Sequence, residues 1–264
     1  MKKPFTNEFL FQVFALLISF IIVHAVYVTL VRPSATAHQQ QQVELIKADP
    51  DHIAKDSFFV VIKDYEQEAC FILMLWAFSI LGYKGRDGWR QQQMLDRDLL
   101  ELPQGMPIGP EDAKGLVERL NALPVVEQLY LLPRALLTGI ERFSATRHVQ
   151  DVSTAVSDVC DSEGERMESE LSIIRYLAWA IPSVGFIGTV RGIGNALGQA
   201  HRAVEGDITG ITENLGVAFN STFVALVISI VLMFFIHQVQ LMQERLVLDS
   251  GRYVDHWLIR KLRA

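Results

Sequence analysis

Residues 180–197, AIPSVGFIGTVRGIGNAL, carry the reading on which the fold turns. The stretch is apolar on average, yet it holds Pro182, Gly185, Gly188, Gly192 and Gly194, with Gly198 just beyond. In water a helix of this composition is penalised at every glycine and broken at the proline. In a bilayer the same residues have a use, because small side chains let a second helix approach closely and neighbours can re-satisfy the backbone that proline disrupts. Gly188 with Gly192, and Gly194 with Gly198, give two small-xxx-small spacings. Thr189 sets a hydroxyl, both donor and acceptor, on this apolar face. Many membrane threonines only bond the carbonyl one turn back. A conducting role and this local one are both open from the spacing alone.

Outward from this stretch, run length decides the class. A hydrocarbon core about 30 Å thick needs roughly 20 apolar residues at 1.5 Å each. Four runs are candidates: residues 9–31, free of Asp, Glu, Lys and Arg; 69–83, short unless its helix extends back through Phe58 to Ile62; 173–197; and 215–237. Hydrophobic residues make up 50% of the 264, and the mean hydropathy is +0.23. The excess sits in these runs, since residues 84–170 are as polar as an ordinary soluble helical segment. The expected fold is all-α: an integral membrane protein with four transmembrane helices and a helical cytoplasmic stalk. A cleaved signal peptide is the other reading of the first run, but the run is too long and lacks a clean small-residue cleavage site.

The expected order is a first span in 1–31, a periplasmic connection in 32–56, a second span in 57–83, a cytoplasmic helical region in 84–170, the third and fourth spans in 171–240 and a cytoplasmic C-terminal helix in 241–264. Lys2, Lys3, Lys84, Arg86, Arg90, Arg97, Arg245, Arg252, Arg260, Lys261 and Arg263 all flank spans on one side. The positive-inside rule therefore puts both termini in the cytoplasm of an inner membrane. One long helix is expected from about Val125 to Arg175, running into the third span, and Pro110-Glu111-Asp112 reads as a helix start. The final helix is amphipathic; it either packs on the stalk or lies on the membrane surface.

No nucleophile elbow, phosphate loop, H-E-x-x-H or paired-cysteine motif occurs, so neither an enzyme, a metal site nor a cofactor is expected. A net charge of −6 gives no sign of nucleic-acid binding. Cys70 and Cys160 fall in different regions, which predicts no disulfide. His24 is ionisable within a span, and the expected role is a bond from a neutral imidazole to a neighbouring helix.

The string PSVGFIGTVRGIGNAL resembles the P-x-x-G-L-x-G-T-V-x-G-I pattern of the MotA/TolQ/ExbB proton-channel family. GITENLGVAFNSTFVALVISIVLMFF resembles that family's second pore helix. The likeness covers roughly residues 170–240, and two spans ahead of a stalk resemble the four-span flagellar stator subunit in topology. The resemblance implies a pentamer around two copies of a single-span partner of the MotB/TolR/ExbD type, whose membrane aspartate carries the proton. It places Thr189 and Glu213 on the ion pathway. The family's second threonine falls on Ala218, which has no hydroxyl, and Thr222 or Ser221 is expected to replace it one turn deeper. That departure leaves proton and sodium both open. Pro182, Gly185, Gly188 and Gly192 would serve helix packing. Arg191 either tunes how ions enter or snorkels to the headgroups. A self-contained secondary transporter and a structural or sensory scaffold are the competing classes; the first needs an inverted repeat and its own membrane acid, and neither is visible.

Overall fold

The computed structural model describes residues 4–49, 57–101, 107–109, 111–204 and 206–263, with the side chains of 4–7 left aside. Lys2, Lys3, Lys55, Pro110 and the last part of the 32–56 connection lie outside the described residues. The described chain is built of helices: α1 Pro4–Val26, a π-helical turn Tyr27–Val31, α2 Arg32–Ala48, α3 Phe58–Ile62, α4 Tyr65–Met94, α5 Ala113–Asn121, α6 Val125–Gln128, α7 Leu131–Thr146, α8 Val149–Gly198, α9 Ala200–Val204 and α10 Thr209–Trp257. Four helical stretches are long and apolar enough to cross a membrane, and they fall on the four expected runs. In the most apolar window of the first, only 22% is buried, so these residues do not form a soluble core. Phe14, Ile18 and Ile21 point outward from α1, as lipid-facing side chains do. This is an all-α, multi-pass membrane protein.

The chain divides into two compact units, residues 1–81 with 173–236, and residues 82–172 with 237–264. In the first unit the interior mixes small residues, among them Cys70, Ala77, Ala178, Ala218 and Ala225, with larger ones such as Ile80, Ile174, Ile181 and Leu232. Trp76 Nε1 donates to the Gln12 carbonyl at 2.9 Å, tying α4 to α1. The second span does not extend back through α3 as one helix. Ser57 Oγ accepts from Val60 N at 3.4 Å to start α3, and the chain then breaks at Lys63 and Asp64. Gln67 Oε1 accepts from Asp64 N at 2.7 Å while its Nε2 donates to Val61 O at 2.9 Å. That is one arm of a capping box, and it restarts the helix at Tyr65. The span lengthens at its other end instead, to Met94.

Pro182 lies inside α8 without ending it. Proline has no N–H, so the carbonyl of Ala178, four residues back, loses its helical donor. Ser229 of α10 supplies one, its Oγ donating to Ala178 O at 2.8 Å. In hydrocarbon a bare carbonyl is costly, and a neighbouring hydroxyl is the available remedy.

The second unit has an ordinary apolar core. Leu116 and Leu120 of α5, Leu132, Leu136, Ile140 and Phe143 of α7, Val152 and Val156 of α8, Val254 of α10 and Leu258 just after it are buried together. The single helix expected over 125–175 is divided into α6, α7 and α8. Arg147 stops α7 in the left-handed region, φ 56°, a conformation rare outside glycine and asparagine. α5 begins at Ala113 beside Asp112, whose Oδ2 accepts from Gly109 N at 2.9 Å. Buried Glu163 takes Arg134 Nη1 at 2.9 Å and also Arg166, and Arg166 and Lys84 Nζ both reach Glu170, at 3.1 and 2.7 Å. Cys70 and Cys160 are free and buried, one in each unit.

Replacing Ser229 with Ala should cost about 1 kcal/mol of stability in detergent, in line with membrane hydrogen bonds generally. Adding Pro182→Ala should remove most of that cost, because the restored N–H takes the same carbonyl. A thermodynamic cycle from thermal melts measures both.

Candidate functional site

The site is set by how closely α8 and α10 approach. Within lipid no hydrophobic force drives two helices together, so van der Waals fit and hydrogen bonds do. Three glycines of α8 face α10 at spacings of three and four residues. A Cβ on Gly185 would stand 3.0 Å from Ser221 O; on Gly188, 2.5 Å from Ser221 Cβ; on Gly192, 2.7 Å from Asn214 O and 2.8 Å from Ala218 Cβ. No side chain larger than hydrogen fits. Gly194 and Gly198, with the same spacing, face open space and pack against nothing. Sequence spacing alone did not separate these two groups.

This contact brings Thr189 against α10. Its Oγ1 donates to Ala218 O at 3.0 Å, with Gly185 O, one turn back, at 3.4 Å. It also shares a short hydrogen bond with Thr222 Oγ1. Thr222 Oγ1 in turn lies 3.2 Å from Gly185 O. A hydroxyl has one proton to give, so two arrangements satisfy the shared bond: Thr222 donates to Thr189, which donates to Ala218 O, or Thr189 donates to Thr222, which donates to Gly185 O. The result is a ledge of two hydroxyls and two carbonyls bridging the helices. Ala218 contributes its carbonyl where a hydroxyl was expected, and Thr222 supplies the hydroxyl one turn deeper.

Ser221 is fully buried, and its Oγ donates to Val217 O at 2.8 Å on its own helix. It lies at the Gly188 contact beside the ledge without joining the Thr189–Thr222 bond. Glu213 is exposed, more than a turn before Ala218, and has no bond to these hydroxyls. Arg191 pairs with Glu66 on α4: Nε to Oε1 and Nη2 to Oε2, each 2.7 Å. Glu66 was not singled out in the sequence. Its carboxylate comes from the second span, not from the two helices that carry the motif.

The first turn of α4 holds both Glu66 and Glu68, where the positive end of the helix dipole favours anions. Two residues apart, they point to different neighbours. Glu68 is buried and receives Arg32 Nη2, while His24 Nδ1 lies 2.7 Å from its Oε1. His24 thus bonds a neighbouring helix, through a carboxylate. The π turn Tyr27–Val31 precedes Arg32, whose guanidinium also covers the Tyr65 ring at 4.4 Å. Just outside the span, burial pushes the Asp64 carboxyl above its usual range, with Lys63 and Arg191 pulling it back. Among the described residues no group of three or more His, Cys, Asp or Glu could hold a metal ion.

The hydroxyl ledge bridges two closely packed membrane helices and has no titrating group of its own. Residues 129–250 match a family model described as the MotA/TolQ/ExbB proton channel family. This segment of the chain is similar to that family. No curated protein and no solved structure matches the chain at a significant level. The MotA/TolQ/ExbB segment takes in α7, α8 and most of α10, with Thr189, Arg191, Glu213, Ser221 and Thr222 inside it and Glu66 outside.

Gly192→Ala should destabilise the α8–α10 pair by about 1–3 kcal/mol, the usual cost of overpacking, because its new methyl meets backbone. Gly194→Ala, into open space, should be neutral or slightly stabilising through helix propensity. Thermal melting in detergent distinguishes the two.

Proposed function

We propose that the chain is the ion-conducting subunit of an inner-membrane motor complex, in which flow of protons down their gradient moves a single-span partner protein. The observation that carries this is the Thr189–Thr222 ledge spanning α8 and α10. Hydroxyls do not titrate near neutral pH, so the ledge can orient water or a carboxylate but cannot itself hold the travelling proton. Between residues 176 and 200 on α8 the single charge is Arg191, and residues 214–236 of α10 carry none. An acid from outside the pair is therefore required, and a partner helix of the MotB/TolR/ExbD type bearing a membrane aspartate supplies it. The family likeness of the pore helices supports a homo-oligomeric ring, a pentamer, around that partner. The basic residues flanking the spans support cytoplasmic termini.

Each charge crossing the membrane releases about 2.3 kcal/mol per 100 mV, so a few charges per step suffice for mechanical work. The continuity of α8 through Pro182 weighs against a self-contained transporter, whose sites are built at helices that unwind near the midplane.

The test is to purify the chain with its genomic neighbours in mild detergent, weigh the complex by native mass spectrometry and measure proton and sodium flux after reconstitution into liposomes. A ring of several copies with a small single-span companion is expected. Thr189→Ala and Thr222→Ala should each lower flux at least about tenfold, the loss from removing one well-placed polar group, with the ring intact. A monomer or dimer with no companion would overturn the reading.

A further inference from the structure

We propose that Glu66 is the fixed counter-ion of Arg191, and that by cancelling this cation beside the hydroxyl ledge it keeps the path along α8 and α10 accessible to a positive ion; this rests on the ion-conducting reading above. Arg191 is the only formal charge on either pore helix through residues 176–200 and 214–236. A bare guanidinium there would repel every cation approaching the ledge, and lipid and protein around it screen far less than water does.

The geometry points to Glu66 as the group that removes this barrier. Its two carboxylate oxygens each accept one bond from Arg191, at 2.7 Å, the planar fork that arginine makes with carboxylates. Arg191 lies three residues beyond Gly188, on the same helical face. At Gly188 a Cβ would stand 2.7 Å from Ser221 Oγ and 3.2 Å from Glu66 Cγ. The acidic side chain and the buried hydroxyl of α10 therefore meet at one point of α8, next to the ledge.

Neighbouring charges do not duplicate the role. Glu68 is turned to Arg32 and His24, and Asp64, which also feels Arg191, sits beside Lys63. Both oxygens in the guanidinium fork hold the Glu66 carboxylate in place beside Arg191. A unit charge about 10 Å from an ion, at an effective dielectric near 20, changes the ion's occupancy roughly tenfold. That is the size of effect the pair suppresses.

The test is ion flux in liposomes carrying the complex purified with its partner. Glu66→Gln keeps the shape and strips the charge; cation flux should fall roughly tenfold, while Glu66→Asp should retain most of it. In the double variant Glu66→Gln, Arg191→Gln the barrier and its counter-ion are both gone, and most of the flux should return. Unchanged flux in Glu66→Gln overturns the proposal, and so does a double variant as depressed as the single, which would make the pair a mere clamp. If Glu66→Gln fails to assemble, the neutral double variant decides by the same criterion. Thr189→Ala run in parallel separates the two readings: normal flux there sinks ion conduction through the ledge, whereas lost flux there with normal flux in Glu66→Gln sinks the counter-ion alone.

Discussion

The close approach of α8 and α10 across Gly185, Gly188 and Gly192 is the constraint on which the site depends. Lipid is as apolar as leucine, so two helices gain nothing from hiding apolar surface against each other, and contact must come from fit. Removing three side chains from one face lets the α8 backbone come near enough that Thr189 reaches the carbonyl of Ala218 and the hydroxyl of Thr222. With any Cβ on that face the hydroxyls would lose each other and turn back to their own helices. Hydrogen bonding across the pair is thus a result of the packing and then reinforces it.

The same rule governs how the first unit manages its polar groups. Charges inside spans cost several kcal/mol unless paired, and the first turn of α4 resolves this with two acids facing different ways. Glu66 meets Arg191 of α8, and Glu68 meets Arg32 and His24 next to the π turn. α4, which lies outside the matched family segment, is therefore joined to α8 on one side and to the N-terminal helix on the other. Placing both acids where the helix dipole already favours negative charge reduces what the pairing must offset.

Much of this was legible from local pattern. Run lengths gave the four membrane helices, and the one-turn spacing from Ala218 to Thr222 gave the hydroxyl that completes the ledge. What was not legible depended on distance along the chain or on space. Arg191 and Glu66 are 125 positions apart, and periodicity cannot join them; Glu213, on the neighbouring helix, was the candidate visible locally. Gly188–Gly192 and Gly194–Gly198 have one spacing and opposite surroundings, because only the first pair has a helix across from it. The stop at Arg147 has no glycine or asparagine to announce it. The break before Tyr65 did have a signal, Asp64-Tyr65-Glu66-Gln67, which is a capping pattern hidden by the apolar residues on either side.

Pro182 and Ser229 lie far apart in the chain, yet one exists on the terms of the other. The proline opens a carbonyl on α8, and the serine on α10 closes it. A lineage that loses the proline no longer needs the hydroxyl, and one that loses the hydroxyl is under pressure to lose the proline. The two positions should therefore be inherited as a unit, and relatives that keep the proline without the serine should show a compensating donor elsewhere on α10.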